Sequence, residues 1–152
     1  MKRSPHKRWE EPVLGNCACS QLRRVARAIS VFYDGFLKDS GMTVTQYALL
    51  VTIGRAGKIS RTKLAGKMGM ERTTLIRNLR PLEQREWVEG ASSEDRRERL
   101  LRLTPLGLKF LSQSYPLWEK AQKSFLRKFG QEKFAALTTL LGESEQAIQS
   151  AI

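Results

Sequence analysis

Between Ile59 and Gly107 the chain switches residue period in an order that few folds satisfy. Ser60 to Lys67 reads as a short helix with Leu64 and Ala65 on its inner side, and Gly69-Met70 reads as the turn that follows. A second helix is predicted from about Glu71 to Arg85, because Leu75, Ile76, Leu79 and Leu82 recur at the three- and four-residue steps of one helix face. That spacing turns Arg72, Thr73, Arg77 and Arg80 outward. A basic hairpin is expected from Trp87 to Leu103, with a charged tip at Ser92 to Arg99. Two helices across a tight turn, followed by a hairpin, make a winged helix-turn-helix. A helix that offers Arg and Thr beside an Arg-rich hairpin suits a grooved polyanion, double-stranded DNA.

The rest of the composition agrees. Of the 152 residues 41% are hydrophobic, enough for one compact core or two small ones sharing a helix. The formal net charge is +12, and residues 55–102 hold thirteen Lys and Arg against seven Asp and Glu, so half the excess sits in the helix-turn-helix third. Positive charge alone is weak evidence; its concentration beside this motif is what favours nucleic acid. No apolar run approaches the roughly 20 residues that span a bilayer, so no membrane partner is expected. Polar and charged residues among positions 5–11 stand where a signal peptide would be apolar, which points to the cytoplasm. Two cysteines cannot form a disulfide framework. With no Gly-rich phosphate loop, no metal-ligand cluster and no His beside a nucleophile, neither an enzyme nor a cofactor or metal is expected.

Four regions follow. Residues 1–15 hold Pro5, Pro12 and Gly15 without periodicity and read as a flexible basic arm. In 16–40, Leu22, Val25, Ala26, Ile29, Phe32, Tyr33, Phe36 and Leu37 mark a long amphipathic helix ended by Ser40-Gly41. Residues 41–103 hold the DNA-reading unit, opened by a helix that Thr43 or Thr45 can cap and that carries Tyr47, Leu49, Leu50 and Ile53. In 104–152, Thr104-Pro105 starts a helix that Pro116 is expected to interrupt or kink, and a last helix begins near Gln131. The first helix and the last two are too apolar on one side to stand alone in water. Bringing the two chain ends together is the simplest burial; pairing two copies would cover the remainder, and a two-fold pair reads two half-sites one DNA turn apart.

These residues resemble the MarR family of bacterial winged-helix repressors from about Cys17 to the C-terminus. The resemblance is carried by Leu64-Ala65, Gly69-Met70-Glu71-Arg72-Thr73-Thr74-Leu75, Asn78-Leu79, Leu82-Glu83, and Asp95-Arg96-Arg97 leading to Leu103-Thr104-Pro105-Leu106-Gly107. Tyr33-Asp34 and Thr43 to Leu50 resemble the family's first two helices. The chain departs from the pattern at Glu86-Trp87, where relatives usually have Gly before the wing strand. The resemblance implies a mainly helical homodimer joined by its terminal helices. It also implies a pseudo-palindromic operator, and release by a small molecule or an oxidant.

Residue roles follow as expectations. Arg72 and Arg77 can pair with guanine, and Thr73 and Thr74 can bond phosphate or touch a thymine methyl. Asn78 can read DNA or hydrogen-bond within the domain. Ser60, Thr62 and Lys63 can hold phosphate at a helix start, with plain capping an equal reading for Ser60. In the wing, Arg97 suits the minor groove, and Arg96 and Arg99 suit phosphates. The resemblance has Asp95 holding the Arg97 guanidinium. Cys19 resembles the reactive cysteine of organic-hydroperoxide-sensing relatives, with Cys17 nearby and Tyr33 matching one of its tyrosines. Arg23 stands where those sensors carry a second tyrosine. Tyr33, Phe36, Tyr47 and Trp118 are candidates to line an effector pocket. The competing reading is a sequence-tolerant architectural protein, for which charge alone suffices.

Overall fold

The computed structural model describes residues 17–92 and 99–150. The arm at 1–15 and the wing residues Asp95, Arg96 and Arg97 lie outside them. Helix α1 (Ala18–Leu37) ends in a 3-10 turn (Lys38–Ser40) at Gly41 and leads into α2 (Val44–Ala56). Then come β1 (Ile59–Ser60), α3 (Arg61–Met68), α4 (Arg72–Gln84), β2 (Val88–Ala91), β3 (Leu100–Leu103), α5 (Pro105–Phe129) and α6 (Gln131–Gln149). The class is mainly helical with a small antiparallel wing, as expected.

Helix α2 is the centre of the helix-turn-helix half. Its Leu49, Leu50 and Ile53 are fully buried against Leu64 of α3, Leu75, Leu79 and Leu82 of α4, and Leu101 of β3. Thr43 starts it with a reciprocal cap: its hydroxyl accepts from the Gln46 amide, and its own amide donates to Gln46 Oε1. Asp34 Oδ1 takes a further first-turn amide, that of Val44, at 2.6 Å, which ties the end of α1 to the start of α2. Helix α3 closes on Gly69 at φ 58, where the Met70 amide reaches back to the Ala65 carbonyl. This left-handed stop is cheap only for glycine, and it sets the angle between α3 and α4.

The expected hairpin is two strands of a three-stranded sheet in the order β1-β3-β2, with Ile59 opposite Leu101 and Val88 opposite Leu103. Strand β1 was not expected, since two residues are too few to show a period of two. A second correction concerns Pro116, which does not interrupt its helix: α5 runs unbroken through it. A mid-helix proline removes one N–H bond, but the burial of Ser114 and Ala121 and the packing of Leu111, Leu117 and Trp118 against the core hold the flanking turns. Helix α1 packs along α5. Helix α6 has no buried residue, and its Phe134 meets Phe125 edge-on at 6.1 Å.

Candidate nucleic-acid interface

The start of α3 is fixed by Ser60, which is buried and whose Oγ accepts from the Lys63 amide at 3.3 Å. Its hydroxyl oxygen is therefore engaged as a cap. Thr62 and Lys63 are exposed in the first turn beyond it. Helix α4 begins differently. Glu71 holds the cap position without a side-chain hydrogen bond, so no capping side chain occupies the first-turn amides of α4.

Along α4, Leu75, Leu79 and Leu82 are buried, while Arg72, Thr73, Arg77 and Arg80 are exposed. Thr74 and Asn78 lie half-buried at the margin, where Asn78 Nδ2 donates to the Thr74 carbonyl at 2.8 Å. Of its two readings, Asn78 thus has the intradomain bond. Ile76 is corrected: expected inward, it is 44% exposed. At 3.6 residues per turn it stands roughly 100° from Leu75 and 60° from Leu79, outside the arc that reaches the core.

Ion pairing separates structural cations from available ones. Arg61 Nη2 meets Glu83 Oε1 at 2.7 Å and pins the start of α3 to the end of α4. Arg102 Nε meets Glu89 Oε1 at 2.8 Å directly across the β2–β3 ladder. Among the described residues the remaining ion pair is Lys123–Glu119 on α5, so Lys63, Arg72, Arg77 and Arg80 are unpaired. Arg99, at the base of the wing, is also exposed.

The wing is anchored from behind. Glu86 adopts φ 57, so where the sequence departs from a glycine the backbone is still left-handed, at a cost for a residue with a Cβ. Thr104 Oγ1 donates to the Glu86 carbonyl at 2.6 Å and accepts from the Gly107 amide at 2.9 Å, while the Thr104 amide donates to the Trp87 carbonyl. Trp87 stacks on Phe110 and carries the Arg85 guanidinium 4.9 Å from its ring centre. Arg85 also donates to the Gly41 carbonyl at 2.8 Å. The Leu103-Thr104-Pro105-Leu106-Gly107 run is thus a joint between wing and α5. A groove of about 520 Å³ beside it is lined by Glu83, Glu86 and Glu89 with Val88, Thr104, Pro105 and Leu106. Three carboxylates make it unsuited to phosphate.

The sensor candidates are not brought together within one chain. Cys17, half-buried, stands at the N-cap position of α1 without a side-chain capping bond, and Cys19 is exposed in the first turn; both are free thiols. Tyr33 lies fourteen residues further along the same helix, roughly 21 Å away at 1.5 Å per residue. Its hydroxyl donates to Gln122 Oε1 at 2.5 Å, and burial pushes its pKa up. The four pocket candidates fall in two groups. Tyr47 stacks on Trp118 at 5.9 Å, with burial first and Tyr115 second raising the Tyr47 pKa. Tyr33 and Phe36 instead pack on Phe32, and Tyr33 also on Phe125. Among the described residues no group of His, Cys, Asp and Glu is placed to hold a metal ion, and no helix is long and apolar enough to cross a membrane.

A capped α3, a left-handed turn, a cation-bearing α4 and a paired wing define a winged helix-turn-helix protein. The family model described as "MarR family" matches residues 42–98. The transcriptional regulator MosR of M. tuberculosis, solved in complex with DNA, is 32% identical; the match covers 87% of this chain and 98% of that one, with a TM-score of 0.74. The chain belongs to the MarR family. Apo MarR of E. coli shares the fold at 22% identity and a TM-score of 0.68, over 84% of this chain and 96% of that one. An uncharacterised HTH-type transcriptional regulator of Bacillus subtilis, YwoH, is 27% identical over 84 residues, which cover 55% of this chain and 61% of that protein.

Proposed function

We propose that this chain is a sequence-specific DNA-binding transcriptional regulator: a cytoplasmic homodimeric repressor that leaves a pseudo-palindromic operator when a small molecule or an oxidant acts. The observation that carries the reading is the outward side of α4, where Arg72, Arg77 and Arg80 are exposed and have no carboxylate partner among the described residues. Unpaired guanidinium groups on a rigid helix match the phosphates and guanine edges of a major groove. Thr62 and Lys63 on the adjoining α3, and Arg99 at the base of the wing, are exposed and suit backbone phosphates. The presence of MosR in a DNA complex supports the same partner.

The dimer reading is supported by what one chain leaves uncovered. Leu22 and Val25 on α1, and Leu140, Leu141 and Ile148 on α6, are all at least 44% exposed. Apolar patches at both chain ends favour burial against a second copy, at about 25 cal/mol per Å² removed from water. Two reader helices then address half-sites roughly 34 Å apart.

A gel-shift comparison tests the function. Duplex from upstream of the chain's own gene should bind far more tightly than a scrambled duplex at about 150 mM salt. Equal affinities would favour a sequence-tolerant architectural protein instead. Sedimentation of the free protein as a monomer would remove the dimer from the reading.

A further inference from the structure

One residue on the outward side of α4 is out of keeping with its neighbours. Ile76 follows Arg72 by one turn and precedes Arg80 by one turn, with Arg77 beside it, and it is 44% exposed. Its side chain adds little to the core there. An apolar spot in a cationic strip is complementary to a surface that is anionic overall and apolar at fixed points. The major groove of duplex DNA is such a surface, because phosphates border a floor on which thymine presents its C5 methyl group. We propose that Ile76 is a specificity-determining residue of this helix, selecting thymine by packing on that methyl. The assignment rests on the DNA-binding reading above and extends it.

The geometry favours this use. Arg72, Ile76 and Arg80 are spaced at i, i+4, i+8, so they share one strip of α4 roughly 12 Å long. A guanidinium at either end can hold phosphate or guanine while the aliphatic group between them is pressed to the groove floor. Ile76 is β-branched and stiff at χ1, so docking it orders few torsions. Its apolar branches cannot hydrogen-bond, so they discriminate by contact with a methyl and by exclusion of the polar edge of cytosine.

The test replaces thymine by deoxyuracil, which lacks only the 5-methyl group. A preferred duplex is first selected by the full-length wild-type protein from a random pool, and each thymine in it is then replaced singly. At one position per half-site, wild-type affinity should fall about fourfold, the value of one buried methyl. Ile76→Ala should bind the thymine duplex about fourfold more weakly than wild type and respond to that replacement by less than about twofold, with its salt dependence unchanged. The assignment is overturned if no deoxyuracil duplex weakens the wild type, or if wild type and Ile76→Ala lose equally at every position. Thr73 or Thr74 could also touch a thymine methyl, so if Ile76→Ala folds poorly the milder Ile76→Val takes its place. A deoxyuracil response smaller than the wild type's at that position supports the assignment, and an undiminished one overturns it. Failure to enrich any duplex would overturn the DNA reading and this assignment with it, whereas enrichment without thymine dependence overturns the assignment alone.

Discussion

Gly107 lies so close to Trp87 that a Cβ built on it would sit 2.1 Å from the Trp87 carbonyl oxygen. The obstacle is backbone on both sides, so neither partner can turn a side chain aside. Gly107→Ala should therefore lower stability by about 3 kcal/mol, in the upper range for an overpacked site. Chemical denaturation checks this. A variant as stable as the parent would show that α5 does not seat on the wing as described.

Glu86 is exposed and holds φ 57. Glu86→Gly should raise stability by about 0.5–1 kcal/mol, since the relief of left-handed strain exceeds the extra chain entropy of glycine. Thermal unfolding measures it. A loss of stability would mean that the Glu86 side chain contributes more than its exposure indicates.

The expected helix-turn-helix was legible because it is written in local period: Leu75, Leu79 and Leu82 are buried and Arg72, Thr73, Arg77 and Arg80 are not. Ile76 misled because an aliphatic residue at i+1 from Leu75 belongs to either side of a helix until its neighbours are known. Features fixed by distant partners were not legible. Strand β1 exists only by pairing with β3, about forty residues later, and the bond from the Val44 amide to Asp34 joins two helices. The interruption or kink expected at Pro116 follows from local preference, which is all that a sequence displays; packing of α5 carries the helix through it without a break. The left-handed residue before β2 was detectable from the missing glycine, though not its outcome.

Tyr33 and Tyr47 both have pKa values raised by burial. A phenol whose folded pKa exceeds its unfolded value near 10 contributes stability that is intact below pH 10. That contribution is lost as pH rises through the folded pKa. Unfolding free energy should therefore decline above about pH 10. Tyr33→Phe, which lacks the phenol, should show a shallower decline, read from denaturation curves at stepped pH. Identical slopes for the two proteins would exclude Tyr33 from that linkage.

Cys19 is exposed at the start of α1, with Arg23 and Arg24 exposed one turn later. If oxidation is the releasing signal, peroxide should dissociate DNA from the parent and not from Cys19→Ser, with reductant restoring binding. A gel shift with and without peroxide measures this. Release from both proteins alike would exclude Cys19 as the sensor.

In the proposed function, base sequence is read by the outward side of α4. Its most direct test is an equilibrium titration of the parent and Arg77→Ala against the selected duplex and against a scrambled one of equal length. Arg77 is exposed and without an ion pair among the described residues, so the variant should melt like the parent. It should lose about 5- to 150-fold in affinity for the selected duplex, the range of one paired guanine contact, and far less for the scrambled one. Equal losses on both duplexes, or no loss on either, would contradict the account.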